Sequence, residues 1–134
     1  MNDSTSMTSG IHHLGLTVTD VAATSRFFVE ALGFTQVAER PAYQAIFVSD
    51  GTVMLTLWQA ADPGSAGSFD RKANVGLHHF ALKVADLDKA YERLSSRDDV
   101  TVEFPPEALG DGPTRHMMCS IPGGPRMELI SPAQ

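Results

Sequence analysis

The chain has 134 residues, 43% hydrophobic and 19% charged, the makeup of one globular domain rather than a disordered segment. Ten Lys and Arg stand against sixteen Asp and Glu, a net charge of −6, which argues against nucleic-acid or anionic-membrane partners. There is no apolar run near the roughly 18 residues of a membrane span and no signal-like start. The lone Cys119 excludes an internal disulfide. The expectation is a soluble, cytoplasmic domain.

In chain order, Ile11 to Asp20 alternates with period two and reads as a strand. Leu14, Leu16 and Val18 share one face; His13, Gly15 and Thr17 share the other. Asp20 is placed to cap a helix over Val21 to Leu32, whose stripe of Phe27, Phe28, Ala31 and Leu32 faces a core. Gly33 suits its left-handed end. Strands are expected near Thr35–Glu39, Gln44–Ser49 and Val53–Trp58, with Asp50-Gly51 as a hairpin turn. Ala60 to Asn74, rich in Gly, Ser, Asp and Ala, reads as a linker.

The pattern then repeats. Leu77-His78-His79-Phe80-Ala81-Leu82-Lys83-Val84-Ala85-Asp86 matches Ile11 to Asp20, keeping both His, a Leu, the Val and the Asp in order. Asp86 precedes a helix over Leu87 to Ser96, with Leu87, Ala90, Tyr91 and Leu94 on one face. Strands follow near Thr101–Phe104, Arg115–Ile121 and Met127–Ser131, with Pro105 to Pro113 as a long loop and Pro122-Gly123-Gly124-Pro125 as a turn. The order is βαβββ twice. The modules are expected at about 10–61 and 76–132, joined by a linker at about 62–75, within one domain over 1–134.

This pattern resembles the vicinal oxygen chelate superfamily of glyoxalases, bleomycin resistance proteins and extradiol dioxygenases. The resemblance rests on His13-x-x-Leu16-x-Val18-x-Asp20, Phe27-Phe28, Leu32-Gly33-Phe34, His79-x-x-Leu82-x-Val84-x-Asp86, and Gly124 followed by Glu128-Leu129. It implies an α+β fold, with two βαβββ modules forming a U-shaped mixed sheet and helices on its outer face. It also implies a homodimer acting on a small molecule. The family's ligand positions fall on His13, Thr56, His79 and Glu128. Thr56 replaces the usual Glu or Gln, and a hydroxyl is a poor ligand. Two imidazoles and one carboxylate then remain, a set that leaves coordination positions open for substrate oxygens.

The expected metal is divalent: Fe, Ni, Zn, Mn or Co. Glu128 is also the candidate catalytic base. Thr17, Thr56, Trp58, Lys83 and His116 are expected near the substrate pocket. The reading narrowly favours Lewis-acid lyase or isomerase chemistry. An extradiol dioxygenase using Fe(II) is the alternative, weakened because Met118 and Ile121 stand where its signature has Tyr and an acidic or amide residue. His116 is the candidate substitute for that family's missing histidine. A fosfomycin-transferase reading would need cations, for which Lys83, Arg115 and Arg126 are candidates. A metal-free bleomycin-resistance-like binding protein is a further alternative.

Blander readings stand beside these. His12 and His78 alternate to the opposite face and are expected in packing or solvent. Asp20 and Asp86 are caps. Glu103 and Glu107 are expected to be solvated. Met54, Met117 and Met118 are core fillers before they are pocket residues. Cys119 is expected to be an inert buried thiol.

Overall fold

The computed structural model describes residues 5–132. The first module runs β1 (His13–Val18), α1 (Val21–Leu32), β2 (Thr35–Arg40), β3 (Ala45–Ser49) and β4 (Met54–Gln59). The second runs β5 (Phe80–Lys83), α2 (Leu87–Ser95), β6 (Thr101–Ala108), β7 (Arg115–Ser120) and β8 (Arg126–Ser131). The expected order, βαβββ twice, is what the chain adopts.

Each module builds a four-stranded mixed sheet in the same way. The orders are β1-β4-β3-β2 and β5-β8-β7-β6. The first and last strands of each module run parallel, and the α-helix carries the chain from the first strand across to the second at the far edge of the sheet. The other pairings are antiparallel. The equivalence carries to single residues, since Gly15 pairs with Thr56 as Ala81 pairs with Glu128.

The helices start and stop for local reasons. Asp20 accepts a hydrogen bond from the backbone N–H of Ala23 at 3.0 Å, and Asp86 from that of Lys89 at 3.0 Å. Gly33 ends α1 at φ 77°. The second helix stops one residue early, at Ser95, and Ser96 is its C-terminal cap.

The core lies on the helix side of both sheets. Phe27, Phe28, Val48, Leu57, Leu94, Met117, Met127 and Leu129 are fully buried there. Burying one such side chain contributes roughly 1.5–3 kcal/mol. The core is continuous across the modules. Phe28 of α1 packs on Phe34 of its own module at 5.1 Å between ring centroids and reaches Phe80 of the other at 6.4 Å.

The β7–β8 turn fastens the modules together. The hydroxyl of Thr24 in α1 donates to the Pro122 carbonyl at 3.0 Å, and Thr19 N–H donates to the Gly123 carbonyl at 3.1 Å. Gly123 sits at φ +94°, and a Cβ there would lie 2.8 Å from Val18 Cβ. Only glycine fits this approach.

One expected loop is partly strand. Residues 105–108 extend β6, although Pro105 and Pro106 lie in them. Two facts reconcile the prolines with a sheet. Strand β6 is an edge, and its register against β7 shifts between Phe104 and Glu107, so the missing N–H groups fall at an irregularity.

Candidate metal centre

Strand alternation places the candidate side chains. Along β8, Glu128 and Ile130 share a face away from the buried Met127 and Leu129. Their register partners share it too: Met118 opposite Glu128, and Lys83 and His116 opposite Ile130. In the first module Thr56 and Trp58 share the corresponding face of β4, opposite Gly15 and Thr17, with His13 two residues before Gly15. The sequence therefore presents two matching faces, one bearing His13 and Thr56, the other His79 and Glu128.

The second face carries a connected cluster. His79 Nε2 lies 2.9 Å from Glu128 Oε1, and His116 Nδ1 lies 2.6 Å from Glu128 Oε2. Glu128 is 8% exposed, and a carboxylate this buried needs partners for both oxygens. Lys83 is exposed at the end of β5.

The first face is organised differently. Thr56 is buried, and its hydroxyl accepts a hydrogen bond from Trp58 Nε1 at 2.9 Å. The position that carries a carboxylate in the second module thus carries a neutral oxygen already engaged by an indole. Trp58 stacks near Phe47 at 5.9 Å and Tyr43 at 6.5 Å. His13 is exposed. It lies in a different sheet from Glu128, and among the described residues no three His, Cys, Asp or Glu side chains of one chain are arranged to hold a metal ion.

Both His12 and His78 are exposed, as expected, and each also contacts the histidine that follows it. His12 Nδ1 lies 2.9 Å from His13 Nδ1, and His78 Nδ1 lies 2.7 Å from His79 Nδ1. A side chain next to a strand end is not held to strict alternation, so each can turn back toward its neighbour. Crowding of the His78 ring, and then the charge of Arg126, hold its pKa below the ordinary imidazole value.

Glu103 is not simply solvated. It grips Arg126, accepting from Nε at 2.8 Å and from Nη2 at 2.5 Å, and this pairing lowers its pKa. Arg126 in turn points its Nη1 at His78 Nδ1, 3.3 Å away. Arg115 is likewise spent, paired with Asp88 at 3.0 Å. Of the three cations suggested for an anionic pocket, two are therefore neutralised. The Cys119 thiol is pushed up to about 11 by burial and then by the Glu103 charge, as suits an inert thiol.

A cavity of about 630 Å³ opens between β1, the linker and the β7–β8 turn, lined in part by Thr17, Phe69, Arg71, Glu103 and Arg126. Of the residues expected at the metal or the substrate pocket, Thr17 lines it, and so does Arg126 among the candidate cations. Sequence reasoning missed the run Glu103–Arg126–His78. Its one visible signal was the doubled histidine in both repeats.

The repeated βαβββ modules and the His79–Glu128 pair on an open sheet face define a protein of the vicinal oxygen chelate type. Residues 10–129 match the family described as the Glyoxalase/Bleomycin resistance protein/Dioxygenase superfamily, and the chain belongs to it. It is 30% identical to a 2-epi-5-epi-valiolone epimerase from Actinomyces sp, over 90% of this chain and 78% of that protein. Its fold is similar to that of the fosfomycin resistance protein FosX from Listeria monocytogenes, with a TM-score of 0.73, 18% identity, and coverage of 95% and 96% of the two chains. It is also similar to a lactoylglutathione lyase from Agrobacterium tumefaciens, with a TM-score of 0.70, 22% identity, and coverage of 94% and 96%. Among the described residues no helix is long and apolar enough to cross a membrane.

Proposed function

We propose that this chain is a divalent-metal enzyme acting on a small substrate that chelates the metal through neighbouring oxygens. His79, Glu128 and His13 would hold the ion, with His13 supplied by a second copy in a homodimer.

The observation that carries this reading is the 2.9 Å separation of His79 Nε2 and Glu128 Oε1. Two ligands at right angles, with bonds of about 2.1 Å, lie about 3 Å apart. The pair therefore has the spacing of neighbouring ligands. Bound there, a divalent ion would supply Lewis-acid polarisation of the substrate oxygens.

The remaining work falls to the chain's own groups. Glu128 holds one ligand oxygen toward His79 and keeps the other against His116. It is the proposed base for proton transfer beside a carbonyl, with His116 steadying it. Thr56 and Trp58 shape the opposite wall without adding a charge. Lyase or isomerase chemistry is favoured over ring cleavage, because His116 is committed to Glu128 and is not free as the dioxygenase-type proton partner.

Metal content of protein purified without chelators tests the proposal, together with Glu128→Gln and His13→Ala. About one ion per chain, lost in both variants, is the expected result. Stoichiometric iron with oxygen uptake would move the assignment to a dioxygenase. Failure to bind any of the five ions would leave a metal-free binding protein.

A further inference from the structure

We propose that the cavity beside the linker binds a small carboxylic acid with an apolar body, Arg71 receiving the carboxylate and Phe69 and Leu77 the body. That this acid is the substrate of the neighbouring centre rests on the metal-centre reading above; that the cavity binds it does not.

The linker carries a built turn at this point. Asp70 Oδ1 accepts from the backbone N–H groups of Lys72 and Ala73, at 2.9 and 3.2 Å. The Asn74 side-chain oxygen accepts from Asp70 N–H at 2.8 Å, and Asn74 N–H donates back to the Asp70 carbonyl at 2.8 Å. Asp70 and Asn74 are tied in both directions, so Arg71 projects from a fixed backbone. Just before the turn, the Phe69 ring lies against Gly76, where an added Cβ would come within 2.9 Å of it. Phe69, Arg71 and Leu77 are thereby gathered around one cavity.

That cavity has an apolar part and a cationic end. Phe69 and Leu77 are 48% and 43% exposed, and both line it. Large apolar side chains that stay exposed yet converge on one concave surface mark a ligand site. Its volume of about 630 Å³ is that of a small-molecule site. At the cationic end two guanidiniums, Arg71 and Arg126, stand with one carboxylate, Glu103. Arg126 takes up Glu103 through two nitrogens. Among the described residues the arginines in ion pairs are Arg97, Arg115 and Arg126, not Arg71. One positive charge is left over, in a chain whose net charge is −6. A guanidinium fork matches a carboxylate in shape, and one excess charge matches a monoanion. A phosphate, with about two negative charges, would leave one uncompensated beside Glu103. Arg126 also stands two residues before Glu128 on the same face of β8, so the cavity lies next to the candidate metal centre.

The probes are 3-phenylpropionate and its neutral amide, 3-phenylpropionamide, which share one shape. Each is titrated into metal-free, isotope-labelled protein, and proton–nitrogen spectra follow the Arg71 side chain and the Phe69, Gly76 and Gly124 amides. The acid should shift these signals saturably and bind about tenfold or more tightly than the amide. Arg71→Met should remove that preference by weakening the acid alone, Arg71→Lys should keep part of it, and Phe69→Ser should weaken both probes. The proposal is overturned if acid and amide bind alike, or if Arg71→Met binds the acid as wild type does. It is equally overturned if neither probe shifts these signals at millimolar concentration, as when a second copy covers Phe69 and Leu77. Acid binding as expected, in a protein that takes up none of the five ions, would overturn the metal-centre reading alone.

Discussion

Glu128 is the residue on which the second module's site converges. Its buried carboxylate is held by His79 on one oxygen and His116 on the other. Glu128→Gln keeps the shape and removes the charge that both histidines face. Metal affinity should drop by tenfold or more while the fold survives; equilibrium dialysis with zinc, alongside a thermal melt, checks both. Thr56 and Trp58 answer to a different balance. Trp58→Phe leaves the buried Thr56 hydroxyl without its donor, at a cost of about 1–2 kcal/mol. Urea unfolding should show that loss as a lower midpoint at unchanged slope.

Strands and helices bring their own predictions. The β7–β8 turn meets α1 so closely that Gly123→Ala would force a Cβ against Val18 in a left-handed backbone. Overpacking and backbone strain together should cost about 3 kcal/mol, measurable by denaturant unfolding. Gly124 has a positive φ but nothing near its missing Cβ, so Gly124→Ala should cost less. At element ends, guanidinium hydrogen bonds hold the pKa of Asp88, Asp99 and Glu103 below the usual carboxylate values. Their unfolded pKa values are about 4, so this stabilisation is complete above that pH and lost as pH falls through the lower folded values. The melting temperature should therefore decline below about pH 4. Arg126→Met should remove the Glu103 share of that decline.

On the scale of the whole molecule, His13 and the His79–Glu128 pair belong to separate sheets of one chain. If two copies share each centre, His13→Ala and Glu128→Gln subunits should complement one another. A mixed dimer would contain one centre with both lesions and one with neither. An equal mixture that exchanges freely should recover about one quarter of wild-type metal binding. No recovery, in subunits shown to exchange, would place all three ligands in one chain.

The sequence by itself determined the secondary structure and its duplication. Period-two alternation, the two aspartate caps, Gly33 and the Asp50-Gly51 turn are local signals, and local signals are written in consecutive residues. The repeat also marked His79, as the counterpart of His13, whereas Glu128 was marked by the family resemblance, its own counterpart being Thr56. Pro105 and Pro106 misled because a proline pair looks like a loop until its strand is known to be a bulged edge. Only the tertiary structure decided which histidine touches which group. The contacts of Glu103 with Arg126, and of Arg126 with His78, join side chains 23 and 48 positions apart. Such pairings depend on register and on how the strand ends turn, so no periodicity along the chain announces them.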